Sequence, residues 1–375
     1  TQALAASYKK VSVAADERLN CRLPELADQN NYNNSLLDKI QKRAFMHAIG
    51  ERDKQHARQT VSYLKDYIDT VRYNAPGGGD ATYRERSLGE NIFTIGLVYD
   101  WCYDILNDTD KEYFIRKAKE FAAEHAVGYP PTKRLSISGH GTEDGVLKHY
   151  LTAGIAFYDE DPEMYNLAAG RILSEMRDAI ELYTSAGAFQ NGNAYGMARY
   201  DSAIYAMKLF ESMGKPDIFG VKFADYAYKL LYEKLPIGIW FKDADDWMWT
   251  NYKPFTYNTS DTNAMMAGAH YGNPYAMRQL LINMSINSYS GDMFTILFYN
   301  PIPEKELDEM PLSYHMTYPF SAITARTSWQ SGPDTPTAMA RMCMNDVNLG
   351  DHYHNDVGAF QFWYKGMLAL QSGAY

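Results

Sequence analysis

The chain lacks the features that mark several large classes of protein. It has no run of eighteen consecutive apolar residues, the length that a membrane-spanning helix requires. Its three cysteines, Cys21, Cys102 and Cys343, have no Cys-x-x-Cys spacing, which argues against a zinc knuckle or a redox pair. A net charge of −10 argues against nucleic acid as a partner. We therefore expect neither a membrane span nor nucleic-acid binding.

What the chain does have is length, apolar content and aromatic rings. Its 375 residues, 46% of them hydrophobic, are enough for one large domain and part of another. It contains 31 tyrosines, 16 phenylalanines and 6 tryptophans. Such rings stack on the faces of sugars, and tyrosine adds a hydroxyl group. Packing between helices explains most aromatic residues equally well, so the composition permits sugar binding without requiring it.

The first 300 residues show mainly helical periodicity. Val61, Leu64, Tyr67 and Ile68 recur at steps of three and four, and Thr109 with Glu112 forms a predicted capping box. We count roughly ten to twelve helices separated by short turns, a pattern typical of stacked helical hairpins. The sequence therefore predicts that residues 1–300 form a toroid or solenoid of antiparallel helix pairs.

The pattern changes after residue 300. Prolines punctuate a predicted linker at 301–318, and residues 321–327, 337–344 and 359–369 each read as a strand. Two or three strands do not make a stable sheet domain alone. We therefore expect residues 319–375 to be the start of a larger β region, with Thr1 a mature or trimmed end and the chain the front part of a longer protein or one piece of a processed one.

Three local patterns have residues suited to catalysis, and the first is His140 with Glu143. On a helix, residues three apart share a face. A carboxyl group beside an imidazole orients it or holds a proton in a buried cleft. The same residues also occur as a helix cap with solvated acids, and local sequence favours that simpler interpretation.

The second pattern is Tyr195 and Arg199, four residues apart and on one face if the segment is helical. A cation beside a phenol favours its ionised form, which would help Tyr195 to accept or donate a proton. A structural tyrosine stacked on an arginine fits the spacing equally well.

The third pattern is His352, His354 and Asp356, which alternate and so point to one side of an extended segment. His-x-His is a common spacing of metal ligands on a strand. Histidines in a polar surface loop are the alternative. The three residues together favour a functional site.

These patterns lie within longer stretches in which the chain resembles the heparinase II/III-like polysaccharide lyases. The resemblance runs from about residue 80 to the end and is clearest over residues 98–104, 128–131, 155–160, 162–171, 356–361 and 364–366. It implies that residues 1–300 form an incomplete (α/α) toroid, the catalytic domain, and that residues 319–375 are the first strands of a truncated antiparallel β-sandwich domain. It also implies β-elimination of uronate-containing polysaccharides, with glycosaminoglycans such as heparin and heparan sulfate favoured.

The resemblance assigns roles to individual residues. It implies that Tyr195 and His352 act on opposite sides of the reacting uronate, and that His140 and Glu143 lie against its carboxylate. Arg86 and Arg199 would contact the substrate, and His354 would be a ligand of a structural zinc ion. Gln371 stands where the family has an aspartate ligand, and a neutral amide weakens zinc binding.

We therefore predict a bacterial periplasmic or secreted polysaccharide lyase that binds an acidic polysaccharide and needs no organic cofactor, with a homodimer as its expected assembly. Other uronate polymers, such as alginate, remain alternative substrates. A glycoside hydrolase would instead need two carboxylates flanking the bond, and Asp245-Asp246 or Glu143-Asp144 would supply them. A non-catalytic sugar-binding relative is the third possibility, favoured by Gln371.

Overall fold

The computed structural model describes residues 2–25, 32–73, 81–130, 142–189, 191–244, 261–286, 291–344 and 354–370. They divide into two compact units. The first contains Thr1–Ser174 and Gly291–Leu297, and the second contains Glu175–Ser290 and Phe298–Tyr375. This division does not test the predicted boundaries at 300 and 318, which stay a prediction.

Within the described residues, all the regular secondary structure of the first unit is helical. Its helices are α1 (Gln2–Asp16), α2 (Asn34–Ala48), α3 (Lys54–Thr70), α4 (Ala81–Trp101), α5 (Asp108–Glu124), α6 (Thr142–Asp144), α7 (Leu151–Phe157) and α8 (Glu163–Arg171). A π-helix, Gly145–Tyr150, joins α6 to α7. The predicted apolar stripe of α3 is confirmed, because Val61, Leu64, Tyr67 and Ile68 are all buried.

Helix α5 begins two residues earlier than the predicted capping box implied. Asn107 accepts a hydrogen bond from the Asp110 amide, and the Asp110 carboxylate accepts one from the Asn107 amide. Thr109 and Glu112 are therefore already inside the helix, and the prediction that they form the cap was wrong. Asn107 is as good a cap as threonine, and the first buried residue, Phe114, fits either start.

Helix α4 is the centre of the first unit and packs against α2, α5 and α7. Gly96 allows the close approach of α7, since a Cβ there would lie 2.8 Å from the Cα of Ala153. Two turns earlier in α4, Gly89 leaves room for the ring of His149 in the same way. The interior is tightly packed where these helices cross.

The described helices of the second unit surround an aromatic core. They are α9 (Arg177–Ser185), α10 (Gly192–Ser212), α11 (Tyr226–Glu233), α12 (Thr262–His270) and α13 (Pro274–Ser285), while α14 (Met293–Phe298) belongs mostly to the first unit. Tyr200 stacks on Phe223 with ring centroids 4.5 Å apart, and Tyr226 packs against Tyr200. Because these rings are fully buried, packing explains them and sugar binding does not.

A five-stranded antiparallel sheet completes the second unit, in the order β1-β2-β3-β4-β5. The strands are β1 (Ser313–Met316), β2 (Ala322–Arg326), β3 (Ala338–Cys343), β4 (Phe360–Tyr364) and β5 (Met367–Ala369). The single strand predicted over 359–369 is therefore two strands, because Lys365 takes a positive φ of 54° and turns the chain. Strand β1 also lies in the predicted linker.

The two faces of the sheet differ. One face packs on Leu235, Ile237, Ile239 and Phe241 through Met339 and Trp363. The same face has a buried polar row, Thr324, Arg341 and Gln361, aligned by strand register. The other face exposes the apolar side chains Ile323, Met342, Phe360, Phe362 and Leu368.

Candidate active site

The candidate site is best described at the start of α10, where Tyr195 and Arg199 lie. The backbone enters the helix through Asn191, which has a φ of 66°, and Gly192, which has a φ of 72°. A Cβ on Gly192 would lie 2.0 Å from the carbonyl oxygen of Asp243, so only glycine fits at this contact. The first turn of α10 is therefore pressed against the segment that contains Asp243.

Tyr195 and Arg199 face the same way, as their spacing predicted. The Arg199 guanidinium carbon lies 5.9 Å from the centroid of the Tyr195 ring. Arg199 is buried, whereas Tyr195 is only half-buried. A partly exposed phenol beside a buried cation is an arrangement that can exchange a proton with a ligand. The geometry of the pair is confirmed, and its catalytic role remains a prediction.

Beneath this turn lies a buried group of four charges, formed by Lys229, Glu233, Asp243 and Arg341 and called the charge quartet below. Arg341 donates from Nε to Glu233 Oε1 at 2.9 Å and from Nη2 to Asp243 Oδ1 at 2.9 Å. Lys229 Nζ lies 2.8 Å from Asp243 Oδ2 and also contacts Glu233. Two cations and two anions make the group neutral.

Within the charge quartet, burial and ion pairing shift the pKa values of Asp243 and Arg341 in opposite directions. Burial raises the pKa of Asp243, but Arg341 and Lys229 outweigh it and leave that pKa well below its ordinary value. Burial lowers the pKa of Arg341, while Asp243 and Glu233 more than compensate and hold it above its ordinary value. Asp243 and Arg341 therefore stay charged in the interior, and the loss of any one member of the charge quartet would leave a buried partner uncompensated.

Asn193 attaches the helix to the charge quartet. Its Nδ2 donates to Glu233 Oε2 at 2.9 Å and to the Phe241 carbonyl at 3.0 Å, and its Oδ1 accepts from Lys229 Nζ at 2.6 Å. Asn193 is fully buried and lies two residues before Tyr195. The sequence analysis missed this role, because the partners are distant in sequence and only Lys229 and Glu233 show a recognisable helical spacing.

Glu143 and Arg86 belong to the first unit, and the structure describes them there. Glu143 lies in α6 and is 3% exposed, while Arg86 is exposed on α4. His140 falls outside the described residues. Glu143 is thus buried and not a solvated acid, and its role at a uronate carboxylate stays a prediction.

Further ionisable groups follow Glu143 on the π-helix, and the sequence analysis did not single them out. Lys148 Nζ lies 2.8 Å from Glu90 Oε1, and His149 Nε2 lies 3.6 Å from the same oxygen. Burial raises the pKa of Glu90, but Lys148 and then His149 lower it well below its ordinary value. π-Helices occur often at functional sites. Here the π-helix turns two basic side chains towards one carboxylate of α4.

The predicted zinc site is described only in part. His354 is half-buried, and His352 and Gln371 fall outside the described residues. Within the ranges that the structure does describe, no group of three or more His, Cys, Asp or Glu side chains is placed to hold a metal ion. With one ligand in view, the fit to zinc stays a prediction, and no chemical step is assigned to a metal.

Searches with the sequence identify no relative. No protein-family model matches the chain. No curated protein matches it either. Among the parts of the chain that the structure describes, no helix is both long and apolar enough to cross a membrane.

Comparison with solved structures does identify a shared fold. The heparan sulfate lyase HepC from Pedobacter heparinus matches with a TM-score of 0.54 and 14% identity, and a mutant of it with 0.55 and 14%. Heparinase III matches with a TM-score of 0.54 and 13% identity. The matches cover 97% to 98% of this chain but only 57% to 59% of those proteins, so the chain spans less than two thirds of their length.

These likenesses establish the fold. The predicted class, an incomplete (α/α) toroid followed by the start of an antiparallel β domain, is confirmed. The relation to the heparinases is one of fold, and these likenesses do not support a specific relation to heparinase II.

Proposed function

We propose that the chain is the catalytic part of a polysaccharide lyase that cleaves acidic, uronate-containing polysaccharides by β-elimination. The observation that carries the proposal is the half-buried Tyr195 beside the buried Arg199, on a helix start held by the charge quartet. The fold shared with heparan sulfate lyases supports it. We favour a glycosaminoglycan such as heparin or heparan sulfate as the substrate. We also propose that the chain is more closely related to heparinase II than the shared fold alone indicates.

The reaction needs three functions from the protein. A base removes the proton at C5 of the uronate, the C4–O bond breaks, and an acid protonates the leaving oxygen, which leaves a C4=C5 double bond. The C5 proton is only weakly acidic while the neighbouring carboxylate keeps its full charge. Groups that neutralise that carboxylate therefore stabilise the enolate-like intermediate.

The candidate residues divide these functions between them. Arg199, Arg86, His140 and protonated Glu143 are the candidates for neutralising the carboxylate. Tyr195 takes the C5 proton or protonates the leaving oxygen, and in a syn elimination it does both in turn.

His352 would be the base for the epimer whose C5 proton lies on the opposite face of the sugar. Having a tyrosine and a histidine on opposite sides would let one enzyme act on both glucuronate and iduronate. On the basis of the resemblance to the heparinase II/III-like polysaccharide lyases, we also propose a periplasmic or secreted location and a homodimeric assembly.

The test is ultraviolet absorbance of the purified protein incubated with heparin, heparan sulfate, dermatan sulfate and alginate in parallel. A rise on any one polymer shows the unsaturated uronate and names the substrate class. Tyr195→Phe should abolish the rise, whereas Tyr228→Phe, which changes a half-buried tyrosine stacked on Tyr314, should leave it unchanged. New reducing ends without absorbance would identify a hydrolase, and binding without turnover would identify a sugar-binding relative.

A further inference from the structure

A second place in the second unit has the chemistry of a binding site. It is a cavity of about 190 Å³ between α11, α13 and the buried side of β2. The polar side chains on its wall are Lys234, Gln279, Asn283, Arg326 and Ser331, and Trp329 supplies an aromatic wall. None of the described residues that line it is acidic.

Arg326 is the unusual member of this cavity. It is only 7% exposed, its Nε donates to the Ser328 carbonyl at 2.9 Å, and its Nη1 donates to the Leu231 carbonyl at 3.4 Å. Its guanidinium carbon lies 3.9 Å from the centroid of the Trp329 ring. Among the described residues no carboxylate pairs with it. Arg341, the other buried arginine of this sheet face, has two carboxylates.

Lys234 is a second cation on the wall of the cavity, and it already has a carboxylate partner. Its Nζ lies 3.1 Å from Asp261 Oδ2, and Asn283 donates to the other oxygen of that carboxylate at 2.9 Å. Lys234 and Arg326 are therefore two cations against the single carboxylate of Asp261, which leaves one net positive charge. Burial without a counter-ion lowers the pKa of Arg326 to about 10, which still leaves it charged at neutral pH.

We propose that this cavity binds one small oxyanion, the carboxylate or sulfate group of an acidic sugar or of a free ion, through the guanidinium of Arg326. The planar guanidinium of arginine matches the geometry of carboxylate and sulfate oxygens. A buried cation without a partner is costly, so an anion that enters the cavity is stabilised strongly. Pockets for drug-sized ligands measure about 300 to 1,000 Å³, so a volume of about 190 Å³ admits one group and excludes an oligosaccharide.

A purely structural role for Arg326 makes a different prediction. Its hydrogen bond to the Leu231 carbonyl connects β2 to α11, its bond to the Ser328 carbonyl is local, and neither bond needs an anion. If this were its only role, replacing Arg326 would lower stability and leave anion binding unchanged. The measurement must therefore be of binding.

The experiment is isothermal titration calorimetry of the full chain with sodium sulfate and, separately, with sodium glucuronate, at ionic strength held constant with sodium chloride. We expect one equivalent of either probe to bind to the wild type. Arg326→Gln should weaken that binding by at least about tenfold, since it removes the charged donor. Arg278→Gln is the control, because Arg278 lies on α13 but pairs with Glu304 and Glu306 outside the cavity.

Two more variants keep the test decisive. Ile282→Trp fills the cavity from its half-buried wall and leaves every charge in place, so it should also abolish binding even if Arg326→Gln fails to fold. Tyr195→Phe should bind both probes normally, which separates this site from the proposed lyase site. Binding of sulfate alone or of glucuronate alone supports the proposal and identifies the preferred anion. Failure of the folded wild type to bind either probe, or unchanged binding in Ile282→Trp, overturns it.

Discussion

Asn193 and Glu233 are joined by a hydrogen bond of 2.9 Å in the interior of the second unit, where both side chains are fully buried. The bond connects the first turn of α10 to the last turn of α11. Since Tyr195 follows Asn193 by two residues, the position of the proposed catalytic phenol depends on a carboxylate that does not itself reach solvent. The charge quartet is thus a support for the site as well as part of the core.

The first prediction concerns this support. Asn193→Ala should lower kcat for the polysaccharide with little change in KM, because the start of α10 loses its anchor while the sugar-binding surface is retained. It should also destabilise the fold by about 1–3 kcal/mol, since buried polar groups lose their partners. Turnover and urea unfolding measured on the same preparation would check both effects.

Its matched control is Asn273→Ala. Asn273 caps α13 by accepting hydrogen bonds from the amides of Tyr275 and Ala276, at 3.0 Å each. Loss of such a cap costs about 1 kcal/mol but does not touch α10. If both variants lowered kcat to the same degree, the effect of Asn193 would be one of general stability and not of position.

The second prediction concerns the charge quartet itself. Arg341→Met should destabilise the protein by about 3–5 kcal/mol, because Glu233 and Asp243 would be left with Lys229 alone. Arg116→Met, which removes an exposed ion pair with Glu120, should cost less than about 1 kcal/mol. Urea unfolding in low and high salt measures both. A loss for Arg341→Met no larger than that for Arg116→Met would contradict the stabilising role of the charge quartet.

The sequence predicted what local periodicity specifies. The stripe of α3 and the Tyr195–Arg199 pair were found because helical spacing alone brings such residues together. The exact cap of α5 was not found, because Asn107 and Thr109 are both good caps within one turn and only packing chooses between them. The turn at Lys365 was missed because lysine rarely adopts a positive φ, so the sequence gives no sign of a turn at this residue.

Long-range polar contacts could not be predicted in this way. Arg341 and Glu233 are 108 residues apart, and nothing in the sequence near either residue marks the other as its partner. Arg326, the buried cation of the cavity between α11, α13 and β2, was missed as well, since the sequence shows it only as one residue of a strand. The role of a charged residue on a strand becomes clear only when the structure shows which face of the sheet is buried.

The third prediction is a pH dependence in the first unit. His56 Nδ1 lies 3.2 Å from Arg43 Nη2, and burial together with this cation lowers the pKa of His56 to about 4. The unfolded chain, with an ordinary histidine pKa of about 6.5, therefore binds more protons than the native state between pH 6.5 and 4. Stability should fall as the pH is lowered through that window.

His56→Gln tests this dependence, because glutamine can accept a hydrogen bond from Arg43 without titrating. Urea midpoints measured from pH 7 to pH 4 should fall less steeply in the variant than in the wild type. Parallel slopes for the two proteins would show that His56 does not contribute to the acid sensitivity.

The last prediction tests the contact that starts α10. Gly192→Ala would place a Cβ 2.0 Å from the Asp243 carbonyl oxygen at a φ of 72°, so both the clash and the backbone conformation oppose it. Gly214→Ala has a similar φ of 79° but nothing within 4 Å of the added Cβ, so it isolates the cost of the conformation alone, about 1 kcal/mol. We expect Gly192→Ala to lose more stability than Gly214→Ala in urea unfolding and, unlike it, to lose lyase turnover. The difference between the two variants then measures how tightly the segment containing Asp243 holds the helix that presents Tyr195, and equal losses would mean that this segment yields to the added methyl group.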